Sequence, residues 1–155
     1  MVTSAVQSHP RGSTRLASAY ETMTGGETAV GWSLEPTPTA PGAARRRVRT
    51  ILTGWDIGDE YAEDVLLVIS ELVANVVDHA GTTMTVTIDQ YRDTVLIAVS
   101  DAGDGLPRLQ PLNDQAKRGR GLQLVDALCV RWGTTAVRAG QGKTAWAEIA
   151  CPRSC

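Results

Sequence analysis

Alternating apolar and polar positions along the chain predict five β-strands. The first strand is followed by Pro36, Pro38 and Pro41, and it ends there because proline cannot donate a hydrogen bond to a β-ladder. The strand at residues 94–100 is apolar on both sides, as expected at the centre of a sheet. The predicted strands span residues 29–34, 84–90, 94–100, 132–139 and 143–150, and the last four form two hairpins.

Apolar residues at helical spacing predict three helices. The first, at residues 42–54, turns several arginines outward, which is typical of a solvated basic face or of a docking patch for an acidic partner. The second, at residues 56–80, has the longest apolar stripe, and Asp56 or Asp59 can cap its start. A short third helix is predicted at residues 122–128.

The order of these elements indicates the fold class. Strand, helix, helix, hairpin, helix and hairpin predict an α+β fold, a two-layer sandwich in which a mixed, mostly antiparallel sheet is covered on one face by three helices. Residues 1–28 lack apolar periodicity and predict a flexible N-terminal tail. The folded domain is therefore expected over residues 29–151, with a C-terminal tail at residues 152–155.

Composition excludes several classes of function. The chain has 155 residues and a formal net charge of −2, without the basic excess that drives binding to nucleic-acid phosphates. No apolar run approaches the ~18–20 residues that span a bilayer, and the N-terminus lacks the apolar segment of a secretory signal. Three cysteines, an odd number, predict reduced thiols. We expect a cytoplasmic domain that binds neither nucleic acid nor a membrane directly.

Three polar residues, Glu71, Asn75 and His79, lie four positions apart on the second predicted helix, which is otherwise largely apolar. A carboxylate and a carboxamide one turn apart supply the oxygen ligands that suit Mg²⁺ when it bridges to phosphates. The alternative interpretation is a buried Glu–Asn pair satisfied by backbone groups. His79 is expected to pack and hydrogen-bond at the helix end rather than to act in catalysis.

Asp101 follows the apolar central strand directly and is succeeded by Gly103 and Gly105. An acid at the end of such a strand can accept a hydrogen bond from an exocyclic amine, and glycines let the backbone approach a flat ring. A plain glycine-rich turn is the alternative.

A second glycine pair, Gly119 and Gly121, opens the third predicted helix. The free N–H groups and the dipole of a helix start attract phosphate, and nearby basic residues add charge, although a simple turn would show the same pattern. A third glycine-rich run, at residues 140–144, is not a P-loop, because Val137 stands where that motif requires glycine and a strand follows in place of a helix.

Together these elements resemble the ATP-binding boxes of the GHKL superfamily. The resemblance covers about residues 30–150, and within the superfamily it is strongest to small bacterial anti-sigma-factor serine kinases of the RsbW/SpoIIAB type, especially actinobacterial paralogues. It rests on Glu71-x-x-x-Asn75, Asp101-x-Gly103-x-Gly105, Gly119-x-Gly121, Trp132-Gly133 and Gly142-Lys143-Thr144.

The resemblance implies the Bergerat fold and a role for each matching residue. Asn75 would hold Mg²⁺, and Glu71 would orient or deprotonate the attacking hydroxyl. Asp101 would bind the adenine amine of ATP, with Thr144 supporting that contact through water. The remaining ATP-binding residues would shape the adenine pocket or surround the phosphates: Gly103, Gly105, Lys117, Gly119, Arg120, Gly121 and Leu122.

The implied function is that of a Mg-ATP-dependent serine/threonine protein kinase acting as an anti-sigma factor. Its partners would be a sigma factor and a STAS-domain anti-anti-sigma protein phosphorylated on serine. The resemblance leaves open whether the chain forms a homodimer. An ATP-binding regulatory module without transfer activity and a slow ATPase are the alternatives. Asp78 stands where arginine is common in this subgroup and adds negative charge near the expected phosphates.

Overall fold

The elements follow the predicted order along the chain. The computed structural model describes residues 28–103, 121–136 and 142–152. The predicted N-terminal tail, apart from Thr28, the end of the strand predicted at 132–139 and most of the C-terminal tail lie outside these residues. The elements are β1 (Val30–Leu34), α1 (Ala40–Gly54), α2 (Asp59–Asn75), a π-helical turn (Val76–Ala80), β2 (Met84–Tyr91), β3 (Thr94–Asp101), α3 (Gly121–Leu128), β4 (Arg131–Ala136) and β5 (Lys143–Ala150).

The five strands form one sheet in the order β1-β2-β3-β5-β4, with β3 at its centre as predicted. All four pairings between the described strands are antiparallel, so this part of the chain contains no parallel pairing of the kind a mixed sheet requires. The predicted α+β architecture is confirmed, and within it the described sheet is antiparallel throughout.

One face of the sheet packs against the helices and forms the main core. α1 begins two residues earlier than predicted, and Ala40 in its first turn is buried. Three residues of the predicted apolar stripe are buried as well: Ala44, Val48 and Leu52. The core also includes side chains of α2, Val125 of α3 and a row across the sheet: Val86, Ile88, Ile97, Val99, Ala147 and Ile149. On the same face, the apolar row is followed by polar residues at the end of β3 and the start of β5, and these residues belong to the site described below.

The opposite face of the sheet has its own small cluster. Leu96, Ala98 and Trp146 are buried together there. Two buried acids also point to this face: Glu148 pairs with Arg131 of the neighbouring strand at 2.5 Å, and Asp89 accepts a hydrogen bond from the Thr28 hydroxyl. Both pairings compensate the cost of burying a carboxylate.

The second predicted helix differs from the structure at both ends. Its α-helical part begins at Asp59 after Gly58, whose extended backbone provides the cap position, so neither Asp56 nor Asp59 caps it with a side chain. After Asn75 the backbone widens into the π-helical turn, which ends when the N–H of Gly81 donates to Val76 O at 2.8 Å. Gly81 adopts a left-handed φ of 63°, which glycine tolerates.

Both ends of the described domain lie at the turn between β2 and β3. The Thr28 hydroxyl donates to Gln90 O at 3.2 Å, and the Cys151 N–H donates to Asp93 O at 2.7 Å. Within the described residues, no helix is long and apolar enough to cross a membrane.

Candidate functional site

Glu71 and Asn75 lie one turn apart on α2, and both side chains are half-buried. Earlier on this helix Glu63 and Leu67 are exposed, and Leu67 retains 41 % of its accessible surface. Glu71 and Asn75 therefore border solvent rather than lying inside the core. Because both side chains are partly exposed, their oxygen atoms can bind a hydrated cation or contact a hydroxyl group from solution.

The π-helical turn carries the chain from Asn75 to the loop after β3. It exposes Asp78 and His79, while Ala80 stays half-buried and faces Gly103. A Cβ built on Gly103 would lie 2.9 Å from the Cβ of Ala80 and 3.1 Å from Asp101 Oδ1. Since such contacts are too short for carbon atoms, glycine is required for this close approach. The contact joins the end of the helix that carries Asn75 to the strand end that carries Asp101.

Asp101 is the last residue of β3, and only 1 % of its side chain is exposed. Its Oδ1 atom accepts the N–H of Gly103 at 2.8 Å, which fixes the orientation of the carboxylate. A buried acceptor at a strand end and a half-buried Glu–Asn pair on the adjoining helix fit a nucleotide with its magnesium ion.

Lys143, the first residue of β5, is the direct cross-strand partner of Asp101. Its Nζ atom lies 3.1 Å from Asp101 Oδ2 and 3.4 Å from Oδ1, and 13 % of its side chain is exposed. Lys143 belongs to the Gly142-Lys143-Thr144 motif, but the sequence predicted no role for it. The signal that would have identified it is the strand register, which an isolated sequence does not fix.

Gly142 is held against the backbone of Asp101. Its φ is 106°, and a Cβ there would lie 2.0 Å from Asp101 O and 3.0 Å from the Cα of Ala102. No L-residue fits in this position without displacing the strand end. Gly142 therefore sets the distance between the start of β5 and the carboxylate of Asp101.

Thr144 faces away from Asp101. Side chains alternate along a strand, so the residue after Lys143 points to the opposite face of the sheet. Its hydroxyl lies 2.7 Å from the Ser100 hydroxyl there. The expected support of Asp101 by Thr144 through water does not fit this register, and Lys143 occupies the position beside the carboxylate.

The remaining residues implied by the resemblance lie at or beyond the limits of the described chain. Gly121 and Leu122 are the first two residues of α3, which begins one residue earlier than predicted. The other four lie outside the described residues, and their roles stay predictions: Gly105, Lys117, Gly119 and Arg120.

A groove of about 410 Å³ runs between α1 and α2 and reaches Glu71. Arg45, Arg46 and Arg49 line its α1 side, and they are three of the four arginines that the sequence predicted on an outward face. The fourth, Arg47, lies over the ring of Trp32. Arg49 pairs with Glu63 of α2 at 3.3 Å, and both side chains are mostly exposed. Three arginines and two acids, Glu63 and Glu71, thus line the groove.

Comparison with known proteins identifies the fold and the family of this chain. A solved structure of the RsbU and RsbW domains of Rv1364c from Mycobacterium tuberculosis matches with a TM-score of 0.60 and 20 % sequence identity. The match covers 82 % of this chain and 33 % of that one, so this chain spans about a third of its length. No curated protein matches. Residues 34–148 match the family described as the histidine kinase-like ATPase domain. The chain therefore belongs to the histidine kinase-like ATPase domain family.

Proposed function

We propose that this protein is an ATP-dependent serine/threonine protein kinase that acts as an anti-sigma factor. The observation that carries the proposal is the buried carboxylate of Asp101, joined through Gly103 and Ala80 to the helix that bears Glu71 and Asn75. Family membership supports ATP binding, and the fold shared with a chain that contains an RsbW domain supports a regulatory role.

In this proposal each side chain has one task. Asp101 accepts a hydrogen bond from the adenine amine, and Asn75 contributes a carbonyl oxygen to Mg²⁺, which supplies charge neutralisation at the phosphates when bound. Glu71 accepts the proton of the attacking serine hydroxyl as the serine oxygen bonds to the γ-phosphorus, while the bond from that phosphorus to the bridging oxygen breaks and ADP leaves. The residues expected around the pocket and the phosphates are Gly103, Gly105, Lys117, Gly119, Arg120, Gly121 and Leu122.

The groove between α1 and α2 suits a protein acceptor. It leads from solution to Glu71, and its arginines complement an acidic surface. A STAS-domain anti-anti-sigma protein would present its serine there, and the phosphorylated form would then release the kinase to hold a sigma factor.

The test of this function is phosphoryl transfer with purified components. The protein is incubated with labelled ATP, Mg²⁺ and candidate STAS-domain proteins from the same genome, and the labelled serine is mapped. Loss of a general base typically lowers the rate about 10²–10⁴-fold, so Glu71→Gln is expected to reduce labelling by at least about 100-fold while calorimetry still detects ATP binding.

Two controls make this result specific. Glu60→Gln removes the same charge from an exposed position in the first turn of α2 and should leave labelling unchanged. Asp101→Asn should weaken ATP binding itself. Undiminished labelling in Glu71→Gln would refute the role assigned to Glu71, whereas ATP binding with no labelled partner would favour a regulatory module without transfer activity.

A further inference from the structure

Lys143 and Asp101 form a cross-strand ion pair on the helix-facing side of the sheet, where β3 ends and β5 begins. The register places them directly opposite each other, and the ammonium lies 3.1 Å from Oδ2. Next to them on the same face are Val99 and Ala145, which belong to the apolar core. The pair is therefore the polar end of an otherwise apolar row.

Within the described parts of the chain, both partners retain hydrogen-bonding capacity after they meet. A carboxylate can accept about four hydrogen bonds, and the contacts with Gly103 N–H and the Lys143 ammonium take at most three of these. A lysine ammonium carries three N–H donors, of which the two oxygens of Asp101 use at most two. An acceptor and a donor thus remain side by side for a third molecule.

The backbone holds the two side chains in a fixed relation. Gly142 packs against Asp101 O, and the Gly103 N–H orients the carboxylate at 2.8 Å. Fixed polar groups recognise a ligand better than mobile ones, because less conformational entropy is lost on binding.

Stability alone does not explain an ion pair at this position. A buried ion pair loses about as much free energy through desolvation as it gains through attraction, and two apolar residues in place of the pair often serve the fold equally well. The neighbouring positions on this face of β5, Ala145 and Ala147, are apolar. The pair is better explained by a ligand that it contacts.

We propose that Lys143 is a specificity-determining residue that reads the ring of a 6-aminopurine. The inference rests on the proposed function, in which Asp101 accepts a hydrogen bond from the exocyclic amine of ATP. Lys143 then donates to the adjacent ring nitrogen N1. An amine donor next to a ring acceptor is the pattern of adenine, whereas guanine presents a carbonyl acceptor next to an N–H donor at the same positions.

The first test uses the unaltered protein and three nucleotides in calorimetric titrations with Mg²⁺. 1-Deaza-ATP replaces N1 with a C–H group, and 7-deaza-ATP changes the opposite edge of the ring. A hydrogen bond from a charged donor is worth a factor of about 10 or more in affinity, so 1-deaza-ATP should bind at least about 10-fold more weakly than ATP. 7-Deaza-ATP should bind as ATP does.

The second test uses two neighbouring variants. Lys143→Met removes the donor and keeps the length of the side chain, and it should bind ATP and 1-deaza-ATP equally. Thr144→Val is the matched control, because the Thr144 hydroxyl contacts Ser100 on the other face of the sheet, and it should keep the full preference for ATP.

The remaining outcomes overturn the inference. Equal affinities for ATP and 1-deaza-ATP in the unaltered protein would remove N1 recognition while leaving ATP binding intact. Tighter ATP binding by Lys143→Met would mean that the lysine competes with the base. If Lys143→Met kept the preference for ATP over 1-deaza-ATP, Lys143 would be excluded as the residue that recognises N1. Absence of ATP binding by the unaltered protein would overturn the proposed function as well.

Discussion

Gly142 lies so close to the backbone of Asp101 and Ala102 that no residue with a Cβ atom would fit in its place. A Cβ at this position would lie 2.0 Å from Asp101 O, and the φ of 106° is itself unfavourable for L-residues. Gly103 is similarly restricted, with 2.9 Å between a built Cβ and the Cβ of Ala80. Two glycines thus hold the end of β3 in contact with the start of β5 and with the π-helical turn that follows α2.

Gly142→Ala is expected to destabilise the protein by more than about 2 kcal/mol, because backbone strain and a backbone clash add together. Urea unfolding followed by circular dichroism measures this change. Gly54→Ala is the control, since no atom lies within 4 Å of a Cβ built at the end of α1. Equal stability of the two variants would contradict the close approach described for Gly142.

At the scale of single residues, the sequence predicts which residues belong to the site better than it predicts which residues face each other across two strands. Asp101 and Gly103 could be identified because an acid followed by glycines after an apolar strand is a local pattern. Lys143 could not, because the sequence does not say whether position 143 or 144 lies opposite Asp101. The alternation of side chains along a strand turns that single-residue uncertainty into a choice between the two faces of the sheet.

The elements themselves follow from hydrophobic periodicity, and their irregularities do not. The stripe of α2 predicted a helix through Ala80, yet the last five residues, Val76–Ala80, form a π-helical turn. An α-helix and a π-helical turn place similar apolar residues towards the core over so short a segment, so the sequence pattern does not distinguish them. π-Helical segments occur frequently at functional sites, which agrees with this turn's place between Asn75 and Gly103.

The ion pair that links β4 to β5 leads to an asymmetric prediction. Glu148 keeps 8 % of its side chain exposed, whereas Arg131 keeps 30 %. Arg131→Leu leaves a buried carboxylate without its cation and should cost about 1–3 kcal/mol. Glu148→Gln leaves an arginine that water can reach and should cost less. Denaturant unfolding of both variants and of the double variant measures the difference, and a larger loss in Glu148→Gln would contradict this account.

Across the whole molecule, the helices and the sheet enclose two thiols that do not ionise at neutral pH. Burial, followed by the negative charges of Asp126 and Asp64, raises the pKa of Cys129 from 9.0 to about 12. Burial and Asp64 raise the pKa of Cys151 to about 11. Both thiols are free in the structure, as the odd number of cysteines predicted.

These pKa values link stability to alkaline pH. The unfolded chain loses its thiol protons above about pH 9 while the folded protein keeps them, so this contribution to stability is complete below pH 9 and is lost towards pH 12. Each thiol adds a slope of up to about 1.4 kcal/mol per pH unit. Unfolding free energies measured at pH 8 to 11 should therefore fall less steeply in Cys129→Ala, and parallel pH profiles for the two proteins would contradict the prediction.

The meeting of both domain ends at the β2–β3 turn has a practical consequence. Asp101 lies seven residues along β3 from Thr94, which at a rise of about 3.3 Å per residue puts the site roughly 23 Å away from this turn. A reporter fused before Thr28 or after Pro152 would leave the proposed purine-binding site unobstructed. A short linker joining the two ends would likewise permit circular permutation, with new termini placed in an exposed loop elsewhere.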